Sequence, residues 1–370
     1  MSSLYLTTDA IRRGFFAGAV ARIRELQRAD GSIPWFDGGV FDPWNHTEAA
    51  MGLVIAGETA AALRAYRHLA DEQQADGSWL AEYGAAVPLE NSRYEGGATL
   101  PLIRDTNFAA YVATGIWHYV LATGDRAFAR EMWPMVEKAI DFVLDHQYPE
   151  GDIRWAGRDP HTPEEDALVT GCASIYKSLE CAVLLARSLG ADRPDWARAR
   201  ARLGEALRDK PHRFDRQWES KSHFSMDWYY PVLAGALRGP HARARIEARW
   251  GEFVEEGKGC RCVTGQPWVT IAETCELVMA LLMIGDSARA RDLFGAVQQW
   301  RDQDGSYWMG YQYAEDVPWP VEKPAWTAGA VLLAADALTG ATGASRLFTT
   351  VALEEAEPQA GTGRGRRQEA

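Results

Sequence analysis

Two kinds of apolar pattern alternate along the chain. In the first, apolar and small residues fill every face of a helix-length segment, which predicts a buried helix. In the second, apolar residues recur at three- and four-residue spacing and charged residues occupy the other face, which predicts an amphipathic helix. The predicted buried helices are Trp44–Ala56, Asp105–Thr123, Ala167–Leu189, Met226–Arg238, Val269–Ile284 and Trp326–Thr339. The predicted amphipathic helices are Asp9–Gln27, Thr59–Gln74, Arg126–His146, Asp195–Arg208, Arg243–Glu256 and Ser287–Trp300.

A glycine follows each predicted buried helix and can close it in the left-handed conformation. These glycines are Gly57, Gly124, Gly190, Gly239, Gly285 and Gly340. Six hairpins closed into a ring would place the buried helices inside and the amphipathic helices outside. We therefore predict an all-α fold, a single-domain (α/α)6 toroid over residues 1–350, with residues 351–370 as a disordered tail.

The connections predict where a ligand would bind. Turns from buried to amphipathic helices are short, whereas the return connections are long and rich in Trp, Asp and Gly. If neighbouring helices are antiparallel, all the long loops lie at one end of the ring, where we expect a cavity. Acidic residues near the starts of the buried helices would face this end; they are Asp42, Glu48, Asp105, Asp166, Asp227, Glu273, Glu276 and Glu322. Acids at such positions also cap helices, so each has a structural alternative.

Aromatic residues and carboxylates together suit a sugar, because the C–H faces of the ring stack while its hydroxyls need acceptors. The loop before the last buried helix places several aromatics beside Glu315 and Asp316. The predicted substrate-binding residues at the open end are Trp44, His46, Glu48, Arg104, Trp228, Tyr229, Trp268, Trp308, Trp319 and Trp326.

Composition narrows the class of protein. The 370 residues carry a net charge of -12, which argues against a nucleic-acid or anionic-membrane surface. The start of the chain lacks a secretory pattern and no apolar run looks long enough to span a bilayer, so we expect a cytoplasmic protein without a membrane span. The five cysteines show no paired zinc spacing. The sequence implies no metal and no cofactor, and it leaves the oligomeric state open.

Four of the long loops open with related turns. They read Gln27-Arg-Ala-Asp-Gly-Ser, Gln74-Ala-Asp-Gly-Ser-Trp79, Gln147-Tyr-Pro-Glu-Gly-Asp and Trp300-Arg-Asp-Gln-Asp-Gly-Ser. We interpret them as structural turns that fasten the loops. The Gln-x-x-Asp-Gly-Ser-Trp element is similar to the repeat of squalene–hopene cyclases and prenyltransferase β-subunits. The Asp-x-Asp-Asp acid of those cyclases and a zinc-ligand set are absent.

The six-hairpin pattern resembles the six-hairpin glycosidases, and the last hairpin looks like that of glucoamylase. Ala314-Glu315-Asp316 precedes Ala325-Trp326-Thr327, as an acidic loop precedes a Thr-Trp-Ser helix start there. The resemblance implies that Glu315 or Glu322 is the general base. In the third hairpin, the Glu that glucoamylases use as acid is missing, because this chain reads Asp152-Ile-Arg-Trp155-Ala156.

These observations favour a carbohydrate-active enzyme, a glycoside hydrolase that works by inversion with a protonated acid and an ionised base. The acid would be Asp105, Asp166 or Asp227, and the base Glu322, Glu315 or Glu273. An isoprenoid-binding protein, either terpene cyclase-like or prenyltransferase-like, is the alternative. A sugar epimerase, for which His46 and His223 would suit, and a non-catalytic glycan-binding toroid are further alternatives.

Overall fold

The fold is a closed ring of helices, seen in a computed structural model that describes residues 14–84, 103–157, 165–217 and 219–353. Six inner helices contact one another in the cyclic order α2, α4, α6, α8, α11, α13 and back to α2. These inner helices are α2 (Pro43–Ile55), α4 (Thr106–Thr123), α6 (Val169–Leu189), α8 (Ser225–Leu233), α11 (Ile271–Met283) and α13 (Ala325–Thr339).

Six outer helices surround this ring. They are α1 (Ala17–Leu26), α3 (Thr59–Glu72), α5 (Arg126–Asp145), α7 (Pro194–Asp209), α9 (Gly239–Ala248) and α12 (Ser287–Val297), and a short turn of helix, α10 (Trp250–Phe253), follows α9. The predicted (α/α)6 arrangement is therefore present. The predicted start of the first outer helix, from Asp9 to residue 13, lies outside the described residues.

The closing glycines behave as predicted in five hairpins and not in the fourth. Gly57, Gly124, Gly190, Gly285 and Gly340 have φ between 66° and 82°. In the fourth hairpin, α8 ends at Leu233 and Gly235 takes the positive φ of 76°. Gly239 also has a positive φ, of 58°, but it begins α9, so the predicted helix Met226–Arg238 was too long.

Small sheets were not predicted and form from the long loops. Strands β1 (Arg104–Asp105) and β2 (Ala156–Gly157) pair antiparallel. A five-stranded antiparallel sheet has the order β3-β4-β5-β6-β7. Its strands are Val254–Glu255, Gly259–Arg261, Trp268–Thr270, Gly310–Gln312 and Val317–Pro318. Strand β5 leads directly into α11, so this sheet lies at the open end of the ring.

The repeated loop turns have the contacts of structural fasteners. Asp30, Asp76 and Asp304 each accept hydrogen bonds from the backbone N–H and the hydroxyl of the serine two residues later. The Gln73 amide donates to Gly77 O and to Met135 O on the next outer helix. A Cβ on Gly77 would lie 2.2 Å from Lys138 O, so only glycine allows the turn to approach that helix so closely.

The ring closes where α13 meets α2. A Cβ on Gly329 would lie 2.7 Å from the carbonyl oxygen of Glu48, and a Cβ on Gly52 would lie 3.1 Å from Gly329 Cα. Gly52 on α2 and Gly329 on α13 thus allow these two helices to pack backbone to backbone.

The opposite end of the ring is covered by the chain segment after α13. Phe348 from this segment lines a cavity in the ring interior, and Leu353 is buried. Residues 351–353 therefore pack on the ring. The rest of the proposed tail lies outside the described residues, and its disorder stays a prediction.

One expectation about membranes needs correction. Helix α6 is long and apolar enough to cross a bilayer, with a mean hydropathy of 1.3 over its best window. In the fold, 78% of that window is buried inside the protein, as in the core helix of a globular domain. The sequence expectation considered unbroken apolar runs, whereas α6 contains a few polar residues such as Lys177 and Glu180.

Candidate active site

Four inner helices present acids at their open ends. Asp42 and Asp105 are the N-caps of α2 and α4, each accepting a backbone N–H of its own helix. Asp227 and Glu273 lie in the first turns of α8 and α11. Because α4 and α11 are three places apart in the six-membered cyclic order, Asp105 and Glu273 stand on opposite sides of the ring mouth.

Asp105 lines a cavity of about 110 Å³ at this mouth. Its Oδ1 accepts the Asn107 and Phe108 amides at 2.7 and 3.2 Å, which leaves Oδ2 for a proton. Burial raises the pKa of Asp105 to about 7. The buried Oδ1 of Asn107 lines the same cavity and has no hydrogen-bond partner among the described residues. The remaining walls come from Trp44, Thr106, Ile153, Trp155, Leu168, Thr170, Gly171, Cys172 and Ile175.

An aromatic layer lies across the ring interior beneath this cavity. The Trp44 ring lies 5.8 Å from Tyr111 on α4 and 6.0 Å from Tyr230 on α8, centroid to centroid. Trp44 lines the upper cavity, whereas Tyr111 and Tyr230 line a deeper one with a free volume of about 10 Å³. That volume suits a single water.

The deeper cavity is lined by two carboxyl groups. Glu48 and Glu276 both line it. The hydroxyls of Tyr229 and Tyr230 donate to Oε2 and Oε1 of Glu276. Burial raises the pKa of Glu48 well above its usual range, and the neighbouring Glu276 and Glu273 raise it further. Burial also raises the pKa of Glu276, against the lowering effect of the two tyrosine hydrogen bonds. Protonation of this cluster relieves its charge repulsion.

Asp227 lies apart from this cluster, in the fourth hairpin. Burial raises its pKa to about 6, and Arg245 lowers it. The Arg245 guanidinium donates to the backbone carbonyl of Asp227, and Asp227 Oδ1 has no hydrogen-bond partner among the described residues. Asp227 is therefore a second acid with an unsatisfied carboxyl oxygen.

Three predicted site residues have contacts typical of a structural role. The Asp166 carboxylate accepts the backbone N–H groups of Ala167, Arg216 and Gln217 and so fastens two loop segments. The His46 ring is buried, accepts the Ile33 N–H at Nδ1 and donates to Ala65 O from Nε2.

Trp228, the third of these, stacks on Phe253 at 5.1 Å and donates to Arg245 O, which places it outside the ring interior. The sequence could not reveal these contacts, because the partners are distant along the chain.

The other candidates divide between the rim and the loops. Trp326 packs against Trp35 at 5.8 Å, and Trp35 donates to Asp42 Oδ2. Arg104 lies 3.5 Å from Asp76 in the second loop turn. The Lys323 ammonium lies 4.7 Å from the centre of the Trp308 ring.

Glu322, also on the rim, is half-buried just before α13. Glu315, Trp268 and Trp319 line a separate groove. The predicted acids are thus not all brought to one point.

Sequence reasoning missed Asn107, Tyr111, Trp155 and Tyr230 as cavity residues. A signal was present, because polar and aromatic residues recur at helical spacing on the inner helices. Such pairs include Trp44 with Glu48, Asn107 with Tyr111, Asp227 with Tyr230, and Glu273 with Glu276. Residues three or four apart share one helix face, and on a buried helix that face points into the ring.

The chain has a close relative among characterised proteins. It is 49% identical over 331 residues to the MMP endo-(1,4)-3-O-methyl-α-D-mannosidase of Mycolicibacterium hassiacum, covering 90% of this chain and 88% of that protein. No family profile matches the chain.

Solved structures share the fold at low identity. A glycosidase variant bound to glucose is 17% identical, covers 91% of this chain and 99% of its own, and has a TM-score of 0.66. A D-mannose isomerase is 12% identical, with coverages of 91% and 99% and a TM-score of 0.67.

The GH63 mannosylglycerate hydrolase from Thermus thermophilus, in complex with Tris and D-glycerate, is 14% identical, with coverages of 86% and 99% and a TM-score of 0.65. These likenesses confirm the predicted (α/α)6 fold. The isoprenoid alternative finds no support among these relatives.

Proposed function

This chain is a glycoside hydrolase of the family that includes the MMP endo-(1,4)-3-O-methyl-α-D-mannosidase, and from that premise we propose that it cleaves α-(1→4) bonds within chains of 3-O-methylmannose. The observation that carries the proposal is the 49% identity over 90% of the chain. The aromatic and acidic mouth of the ring supports it, because such surfaces suit sugar rings that also carry apolar methyl groups.

Asp105 is the proposed general acid. A general acid must hold its proton near neutral pH, and burial raises the pKa of Asp105 to about 7. Its Oδ2 is not engaged by the two capping amides, and the carboxyl lines the cavity beside Trp44. Of the three acids proposed from sequence, Asp166 is occupied by backbone amides and Asp227 lies in another hairpin, so Asp105 fits the role best.

Glu273 is the proposed base. It lies in the first turn of α11, across the ring mouth from Asp105, and is half-buried rather than sealed in the deeper cavity. No described residue hydrogen-bonds to its carboxylate. Glu315 lies on an exposed loop and Glu322 is on the rim before α13, which makes both less suited to face Asp105.

The proposed reaction is a single displacement. Glu273 accepts a proton from a water whose oxygen attacks the anomeric carbon, while Asp105 gives its proton to the glycosidic oxygen as the C–O bond breaks. The α bond is thereby converted to a β-configured product. Trp44 forms the floor beneath the reacting sugar.

The test uses methylated mannan with wild type, Asp105→Asn and Glu273→Gln. We expect each variant to lose about 10²- to 10⁴-fold in kcat, because each removes one proton-transfer group. Proton NMR of the first product should show the β anomer. For wild type, kcat/KM should fall as pH rises through about 7, where Asp105 loses its proton.

Asp227→Asn is the matched control, since it replaces an acid with a raised pKa outside the Asp105 cavity. An alkaline limb near pH 6, lost in Asp227→Asn, would transfer the acid role to Asp227. An α-configured first product would contradict inversion, and no cleavage of methylated mannan would contradict the proposed substrate.

A further inference from the structure

The most exposed large apolar side chains of the described part of the chain lie together, outside the Asp105 cavity. Val317, Trp319 and Val321 are 40%, 53% and 74% exposed. Trp319 also lines a groove of about 430 Å³ at the open end of the ring. The other lining residues are Val263, Gln266, Pro267, Trp268, Gln312 and Glu315. An exposed apolar surface of this kind marks a binding site more often than a random surface does.

The two indoles in this groove are held in a fixed arrangement. The Trp268 Nε1–H donates to Trp319 O at 2.6 Å, and the rings meet edge to face at 5.0 Å. The Trp319 N–H donates to Gly310 O at 3.0 Å. A Cβ on Gly310 would lie 2.4 Å from Trp268 Nε1, so the glycine is what permits this packing. These contacts with the sheet therefore hold the exposed Trp319 in a fixed position.

Polar groups border the indoles. The Gln312 Oε1 accepts the Ala314 and Glu315 amides at 2.8 and 3.3 Å, which leaves its side-chain nitrogen as a donor. The exposed carboxylate of Glu315 is an acceptor on the same groove. An O-methyl group adds apolar surface to a sugar and removes one hydroxyl donor. A groove with two indoles, a valine, a proline and a few polar groups fits methylated sugars better than fully hydroxylated ones.

The groove is linked to the proposed active site through a short stretch of chain. Trp268 begins β5, β5 ends at Thr270, and α11 starts at Ile271 and carries Glu273 in its first turn. We propose that this groove is a remote subsite that binds 3-O-methylmannose units beyond the cleaved bond and selects long methylated chains. The inference rests on the proposed function and assigns Trp319 a role in specificity, separate from proton transfer.

The test compares two substrates and four proteins. The substrates are methylated mannan and the shortest methylated oligosaccharide that wild type cleaves. The proteins are wild type, Trp319→Ala, Trp319→Phe and Val321→Ala. We expect Trp319→Ala to lower kcat/KM for the long chain about tenfold, mainly through KM, with a much smaller loss on the short one. Trp319→Phe keeps a ring and should restore most of the long-chain preference.

Val321→Ala is the matched control, because Val321 is the more exposed apolar residue and does not line the groove. A fifth protein, Glu315→Gln, gives an independent readout, and we expect it to show a smaller loss in long-chain affinity. Equal losses on both substrates in Trp319→Ala, or an equal effect of Val321→Ala, would overturn the subsite. If wild type cleaves neither substrate, the proposed function fails, and calorimetric binding of intact methylated mannan to wild type and Trp319→Ala still tests the groove.

Discussion

Two groups of buried ionisable side chains border the deep cavity, one through Lys177 and the other through Glu48 and Glu276. They differ in whether a cation is hydrogen-bonded to the carboxylate. On α6, Glu180 accepts Lys177 at 3.0 Å and Arg200 at 2.7 Å. On α2 and α11, Glu48 and Glu276 have no Lys or Arg hydrogen-bonded to them among the described residues. Lys177 lines the cavity with them, but its ammonium is bonded to Glu180 and to Thr350 O.

The first group has a structural purpose that its contacts explain. Glu180 also accepts the Ala352 N–H at 3.0 Å, and Arg200 donates to Leu353 O at 3.2 Å. The group therefore fixes the segment that covers the closed end of the ring. The glutamates of the second group fasten no loop and hold raised pKa values instead. A carboxylate paired with cations supports the fold, whereas buried carboxyls without a cation and with raised pKa values are more common near functional sites.

The largest effect on stability should come from the satisfied group. Glu180→Ala would leave two buried cations without their carboxylate, and we expect the free energy of unfolding to fall by about 3–5 kcal/mol. Urea denaturation measures this loss. Glu205→Ala breaks an exposed contact with Lys210 and should cost less than about 1 kcal/mol. Similar losses in unfolding free energy for Glu180→Ala and Glu205→Ala would show that the buried group contributes no more to stability than an exposed ion pair.

Asp166 extends the comparison to a carboxylate that accepts backbone amides. Asp166→Asn retains one acceptor oxygen and turns an N–H₂ toward an amide donor, so we expect a stability loss of about 1–3 kcal/mol. Turnover per folded molecule should stay near that of wild type, as measured by initial rates corrected for the folded fraction. A large fall in kcat without a change in stability would return Asp166 to the catalytic set.

The pH dependence of stability tests the second group. Burial raises the pKa of Glu276 from 4.5 to about 8, so between these values the native state keeps a proton that the unfolded chain releases. The free energy of unfolding therefore falls as pH rises through this range. Glu276→Gln should flatten that slope in denaturation curves at pH 5 to 8. An unchanged slope would show that Glu276 does not titrate in this window.

The helix pattern was predictable because its signals are local. Apolar periodicity and the closing glycines set most of the ring, and the Asp-Gly-Ser turns form within a few residues of the motif. The fourth hairpin was misjudged because two glycines, Gly235 and Gly239, compete there and only packing decides between them. The five-stranded sheet escaped notice because its strands are two or three residues long.

The site was less predictable because it depends on the order of helices around the ring. The sequence predicted Asp105, Glu273 and Trp44, to which we assign roles in the proposed mechanism, on the same grounds as Asp166 and His46. What separates them is the choice of partner, such as the Arg216 amide for Asp166 or Ala65 O for His46. Tyr111 and Tyr230 reach the ring interior only because α4 and α8 both place a side chain against Trp44 of α2.

The close packing of Gly329 against Glu48 has a consequence for the order of assembly. The first inner helix is made early during synthesis, but its partner α13 is made last, and contacts so distant in sequence form slowly. Until α13 has left the ribosome, α2 has no neighbour on one side and the deep carboxyl cavity has no complete wall. We therefore expect a chain that stops before the sixth hairpin to form an open arc of helices. The enzyme should become active only once α13 has packed against α2 and closed the ring.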